Sequence, residues 1–244
     1  MNSAEIRQKL NALASPEVAA SSARFFKTGP GQYGEGDTFV GIRVPALRTL
    51  AREYRDLPLP EIEVLLRSPI HEERLLALLI LVLSVGKCDA VHRKVVYDFY
   101  LGNSRHVNNW DLVDTSAPAI VGGYLRDRFR EPLVELAKSA SLWERRIAIV
   151  ATQHLIRLDQ FDDTLALSRL LLSDKEDLIH KATGWMLREV GDRDEALLEA
   201  FLHEHAPAMP RTMLRYAIEK FEPDKRRIYL VSSVPKSGGK PQRR

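Results

Sequence analysis

Almost no stretch of this chain alternates apolar and polar residues with a period of two; its apolar residues recur at three- and four-residue spacing from end to end. Short Gly, Pro or Ser/Asp breaks cut the pattern into segments of about ten to seventeen residues, the usual length of globular helices. Such a chain folds as an all-α protein. The helical segments fall at 3–14, 16–27, 44–54, 59–67, 71–85, 89–100, 108–125, 131–139, 142–158, 161–172, 175–190, 194–203 and 210–221. Ser3 is a candidate N-cap for the first, and Pro16 opens the second.

Related segments recur. His71-Glu72-Glu73-Arg74-Leu75-Leu76-Ala77-Leu78 resembles Trp143-Glu144-Arg145-Arg146-Ile147-Ala148-Ile149, which resembles His180-Lys181-Ala182-Thr183-Gly184-Trp185-Met186-Leu187. A spacing of roughly 36 residues, with the 108–125 helix in the first gap, is that of a HEAT-like α-α superhelix. The competing reading is an irregular bundle with accidental likeness. In a solenoid the second helices of successive pairs line one concave surface, so positions far apart in sequence meet there. Residues 1–229 form one repeat domain on this reading, and 230–244 a basic tail that cannot bury apolar area and is expected to be disordered.

Of the 244 residues 45% are hydrophobic, enough for a sizeable core, and 28% are charged. The net charge is only +3, but a pI of about 9.0 leans toward anionic partners without saying where the charge lies. A single cysteine, Cys88, forms no internal disulfide, and the seven histidines form no metal-binding motif, so neither metal nor cofactor is expected. The longest apolar run, 75–85, is broken by Ser84 and too short to span a bilayer. The polar N-terminus has no signal-peptide core, which makes a cytoplasmic protein the expectation. The segment Thr28–Asp37 holds four glycines and a proline. It is a loop without P-loop spacing: a flexible connector, or a clamp whose backbone approaches a ligand.

Asn108-Asn109-Trp110-Asp111-Leu112-Val113-Asp114-Thr115 places Trp110 and Asp114 four apart, on one helix face. On these eight residues alone, a core tryptophan beside a solvated aspartate is a sufficient account. Three segments change that: Asn109-Trp110-Asp111-Leu112-Val113-Asp114, Trp143-Glu144-Arg145-Arg146-Ile147-Ala148 and Lys181-Ala182-Thr183-Gly184-Trp185-Met186-Leu187-Arg188-Glu189. In this order and spacing they resemble the AlkD-type DNA glycosylases of the DNA alkylation-repair family, over about residues 16–221. The resemblance implies a HEAT-like fold and hydrolytic removal of cationic alkylated purines, notably 3-methyladenine and 7-methylguanine, from double-stranded DNA, with the lesion left largely in the duplex. It implies Asp114 as the catalytic carboxylate, Trp110 and Trp185 as the aromatic pair beside the lesion, and Arg146 as an arginine on the DNA backbone. Phe25 stands where some members carry tyrosine and Arg43 where some carry glutamine; both fall near the expected DNA face. The Gly-rich loop is longer than in some members. Lys138, Arg145, Lys181, Arg188 and Arg215 are further candidates for phosphate contact. Asp111 is read as structural or solvated, and Trp143 as core. A monomer is expected. The alternatives are a non-catalytic HEAT-repeat scaffold that binds DNA or protein, and a DNA-structure binder without base excision.

Overall fold

A computed structural model describes residues 2–86 and 88–232. Among them the chain is helical throughout, with a single isolated bridge between Thr38 and Ile70 in place of any strand. The helices are α1 (Ser3–Leu13), α2 (Pro16–Phe25), α3 (Val44–Glu53), α4 (Leu59–Leu66), α5 (His71–Val85), α6 (Ala90–Gly102), α7 (Trp110–Ala117), α8 (Gly123–Leu125), α9 (Glu131–Ala137), α10 (Leu142–Ile156), α11 (Asp162–Leu170), α12 (Asp177–Gly191), α13 (Glu195–His205), α14 (Arg211–Ala217) and α15 (Pro223–Ser232). None is long and apolar enough to cross a membrane.

Local chemistry sets the helix starts. Asn2, rather than Ser3, caps α1, in a reciprocal capping box with Glu5. Ser15, Asp89, Ser141 and Asp194 cap α2, α6, α10 and α13 through side-chain oxygens that accept backbone N–H bonds.

The helices form a repeat array. α3, α5, α7, α10, α12 and α14 pack each against the next as one inner row. Their apolar faces join those of α4, α6, α9, α11 and α13 in two core clusters set along the array, the second around α13 and α14. α5 and α10 bury most of their length, as helices flanked on both sides must. Gly184 marks a close approach in the row. A Cβ there would stand 2.4 Å from the Met213 carbonyl oxygen, so α12 and α14 can meet at this distance only through glycine.

The segment expected as one helix, 108–125, is interrupted. α7 passes at Pro118 into a π-helical turn, Pro118–Gly122, and then into α8. Proline has no N–H for the carbonyl four residues earlier and its ring crowds that carbonyl. That residue is Asp114. The widened turn accommodates the missing bond without ending the rod. Helix α15 continues past the expected end of the domain at 229. Of the expected tail, 233–244 lie outside the described residues.

Candidate functional site

Trp110 is the first residue of α7. Asn109 caps the helix, its Oδ1 accepting from the Trp110 backbone N–H at 2.8 Å while its Nδ2 donates to Asp37 at 2.9 Å. The indole is partly buried against an aromatic group contributed by α2 and the chain after it. Phe26 stacks on it at 5.3 Å between centroids, and Phe25 meets it edge-on at 5.9 Å. Trp110 Nε1 donates to Tyr33 Oη at 3.3 Å. Tyr33 comes from the Gly-rich loop, and its ring also meets Trp143 edge-on. The loop therefore lies over the Trp110 end of the inner row. Trp143, expected in the core, is only partly buried and faces this loop as well as the core. Gly34 secures the turn beside Tyr33: a Cβ there would stand 2.3 Å from the Phe26 carbonyl oxygen.

One turn further along α7, the Asp114 carboxylate is gripped by Arg146 of α10. Arg146 Nε donates to Oδ1 at 2.9 Å and Nη2 to Oδ2 at 2.8 Å. The third guanidinium nitrogen, Nη1, donates to the Leu178 carbonyl in the first turn of α12 at 2.5 Å. Arg146 is 4% exposed. The sequence reading set it against the DNA backbone; here all three nitrogens are turned inward, and the side chain joins α7, α10 and α12. The Asp114 side chain keeps 18% of its surface. Burial pushes its carboxyl above the ordinary aspartate value, and the Arg146 charge opposes that shift. A carboxylate has about four acceptor sites. The fork occupies one on each oxygen and leaves capacity toward solvent.

Asp114 lines a cleft of about 540 Å³ together with Arg48, Arg93, Arg126, His154 and Arg157. Burial and the neighbouring Arg126, Arg157 and Arg93 hold the His154 imidazole below its ordinary pKa. The positive field of the cleft is therefore the arginines' own. An anion in a groove of cations is an unusual local arrangement, and the Arg146 fork favours the charged form of Asp114 against its burial.

Trp185 lies on α12, on the face it shares with Lys181 and Arg188. Its Nε1 donates to Glu189 at 2.9 Å, and it is partly buried against the core. Its tie to the Asp114 centre is indirect, through Arg146 and the start of α12. Lys181 pairs with Asp177 at 2.8 Å, and Arg188 pairs with Glu219 and lies 3.9 Å from Glu189. Both line a groove between α12 and α14 with Arg215. Arg145 is tied to Asp174 at 2.6 Å. Arg43 and Phe25 are exposed, Phe25 by 65%, and line a cleft of about 500 Å³ floored by His71 and Asp111.

A network the sequence did not reveal underlies this end of the site. His71 Nδ1 meets Asp37 at 3.1 Å and Nε2 meets Asp111 at 2.8 Å. Arg74 donates to the other Asp37 oxygen at 2.6 Å. Burial works against a charged His71, yet bonds to the two carboxylates raise its pKa. The same bonds, with Arg74 and Asn109, hold Asp37 below the ordinary range despite its burial. Asp111 is thus structural: it fixes the first turn of α7 to α5 and to the end of the Gly-rich loop. Among the described residues no group of three or more His, Cys, Asp or Glu side chains is placed to hold a metal ion.

The arrangement is matched by known proteins at the level of family and fold. The family model for DNA alkylation repair enzymes matches residues 6–221. No curated protein matches the chain. A solved structure described as a predicted DNA alkylation repair enzyme from Enterococcus faecalis is similar to it with a TM-score of 0.66 and 20% identity, over 86% of this chain and 97% of that one. The match spans nearly all the described helices, and the chain belongs to the DNA alkylation repair enzyme family.

Proposed function

We propose that this protein is a DNA glycosylase that hydrolyses the N-glycosidic bond of cationic alkylated purines, 3-methyladenine and 7-methylguanine, in duplex DNA. It works as a monomer in the cytoplasm, without metal or organic cofactor. The observation that carries the proposal is the partly open Asp114 carboxylate, held by both oxygens in the Arg146 fork on the wall of an arginine-lined cleft.

The chemistry asks for this. A purine alkylated at N3 or N7 already bears a positive charge, so it leaves as a neutral base and needs no general acid. Positive charge then develops on the deoxyribose. A fixed anion nearby opposes that charge as it forms. At about 4 Å and an effective dielectric of about 20, unit charges attract by about 4 kcal/mol, worth about a thousandfold in rate. Arg146 reduces the field of Asp114, but it also fixes the carboxylate in place and favours its charged form against burial. Asp114 can orient the attacking water as well. The arginines across the cleft suit the phosphates that flank the nucleotide.

In this account Trp110 and Trp185 present electron-rich faces to the cationic nucleotide. Arg43, Phe25, Lys181 and Arg188 contact the DNA, with Arg146 positioning Asp114 rather than touching phosphate. The open clefts suit a lesion that stays in the duplex. Incubation of the purified protein with methylated duplex DNA is expected to release free 3-methyladenine and 7-methylguanine, and to leave uracil in place. Protein that binds the duplex and releases no methylpurine would support the scaffold reading instead.

A further inference from the structure

The turn after α8, Arg126-Asp127-Arg128-Phe129-Arg130, contributes only Arg126 to the cleft described above. Phe129 at its tip is 86% exposed, more than any other large apolar side chain described. Single exposed apolar residues are common on surfaces and need no account. This one is held out by a built support. Arg130 ties the turn down: its Nη2 donates to the Arg126 carbonyl at 2.7 Å, and its Nη1 pairs with Asp163 of α11. Arg128 Nη1 donates to the Tyr124 carbonyl at 2.6 Å, and its guanidinium lies 4.2 Å from the centre of the Tyr124 ring. Tyr124 in turn stacks on Tyr97, with 4.2 Å between centroids. The backbone beneath Phe129 is thus braced on both sides while the ring itself stands in solvent.

The position of the turn gives the exposed ring a partner. Phe129 and Arg128 line a cleft of about 880 Å³. Arg126 lines that cleft and also the one that holds Asp114, so the two share a wall residue. Of the four cations in the Phe129 cleft, Arg126 pairs with Asp127 at 2.7 Å, Lys94 with Asp98 at 2.5 Å, and Arg130 with Asp163. Asp127 is taken by Arg126, and Arg128 is bound to the Tyr124 carbonyl and ring instead. A braced aromatic tip flanked by arginines fits a nucleic-acid backbone with a base step to lean on, since apolar side chains inserted at base steps unstack and bend duplex DNA.

We propose that Phe129 is a wedge that engages the DNA duplex beyond the damaged nucleotide, unstacking one base step while Arg126 and Arg128 hold the adjoining phosphates. The inference rests on DNA being the substrate, and not on which bond is cut. Phe129→Ala removes no packing, because the ring is in solvent. Binding of an undamaged duplex, followed by fluorescence anisotropy, is expected to weaken at least fivefold in Phe129→Ala with the salt slope unchanged, and to be restored in Phe129→Trp. Removing both arginines is expected to lower the salt slope by about two, at about 0.9 per phosphate contact. A 2-aminopurine scanned along the duplex should brighten at one step with the wild type and stay dark with Phe129→Ala. Binding within twofold of wild type in Phe129→Ala, or no brightened step at any position, overturns the proposal. Excision assays on the same variants separate this from the glycosylase reading: wild-type protein that bends and binds DNA without releasing methylpurine would sink that reading and leave the wedge standing.

Discussion

Arg146 holds both oxygens of Asp114, one helix away, at 2.9 and 2.8 Å. The pair is largely buried, and removing one partner of a buried pair costs about 3–5 kcal/mol because the other charge is left unpaired. Arg146→Ala is therefore expected to destabilise the fold by about 3 kcal/mol, the lower end, since Asp114 retains some solvent. Arg146→Lys keeps the charge but loses the fork. It should fold with a smaller penalty and still excise poorly, because Asp114 is no longer fixed. Denaturant melts and excision rates on the two variants check this; a Lys variant as active as wild type would mean that the fork does not position the carboxylate.

The acid limb of the pH–rate profile should report Asp114. Burial raises its pKa above the usual aspartate value and Arg146 works against the rise. Excision is expected to fall with decreasing pH through a point above the ordinary aspartate range. In Arg146→Lys that point should move higher still. Rates measured on 7-methylguanine DNA across the acid range check it, and an unchanged limb in the lysine variant would argue for another titrating group.

His71 gives a separate pH signature, in stability rather than rate. Its pKa is raised in the folded state by Asp111 and Asp37, despite burial and the nearby Arg74. The unfolded chain titrates near 6.5. The native protein therefore holds the proton more tightly. The stabilisation is fully present below pH 6.5 and is lost as pH rises through the folded value. The melting temperature should decline over that window in the wild type and much less in His71→Asn. A wild-type melting temperature that rises over the same window would contradict the charged state of the network.

Much of the fold was legible in the sequence, and the particulars of the site less so. Three- and four-residue spacing identified the helices, and the four-residue step from Trp110 to Asp114 placed them on one face. The direction of Arg146 was not legible, because an arginine on an inner helix reads the same whether it meets a phosphate or a carboxylate one helix away. The π-turn had a visible signal in Pro118, four residues after Asp114, which a reading of apolar periodicity passes over. Tyr33 reaches Trp110 across 77 positions of chain, and His71 joins two carboxylates from different elements. Such contacts depend on how a glycine-rich loop lies, which local pattern does not encode.

That loop yields a prediction of its own. Gly34→Ala forces its new Cβ toward the Phe26 carbonyl, and the loop must shift to relieve the clash. Tyr33 would then leave Trp110. Intrinsic tryptophan fluorescence should change in Gly34→Ala and in Tyr33→Phe, with a larger change in the first. Identical spectra in all three proteins would mean that the loop does not cover the indole in solution.

Ionic contacts should differ in their effect on DNA binding. Arg43 is exposed, whereas Lys181 and Arg188 are already paired with Asp177 and Glu219. Arg43→Ala is expected to lower the slope of log K against log salt by about 0.9, the value for one phosphate contact. Lys181→Ala and Arg188→Ala should each lower it less. A larger drop in either of them than in Arg43→Ala would reverse this ranking of the cations.

The central claim is that the Asp114 carboxylate opposes the charge that develops on the sugar, and it can be measured in one comparison. Single-turnover release of 7-methylguanine from duplex DNA is followed for wild type and Asp114→Asn, with duplex affinity measured in parallel. The asparagine variant is expected to bind within a few-fold of wild type and to excise slower by about a hundredfold or more. Excision at the wild-type rate by folded, DNA-binding Asp114→Asn would contradict the account.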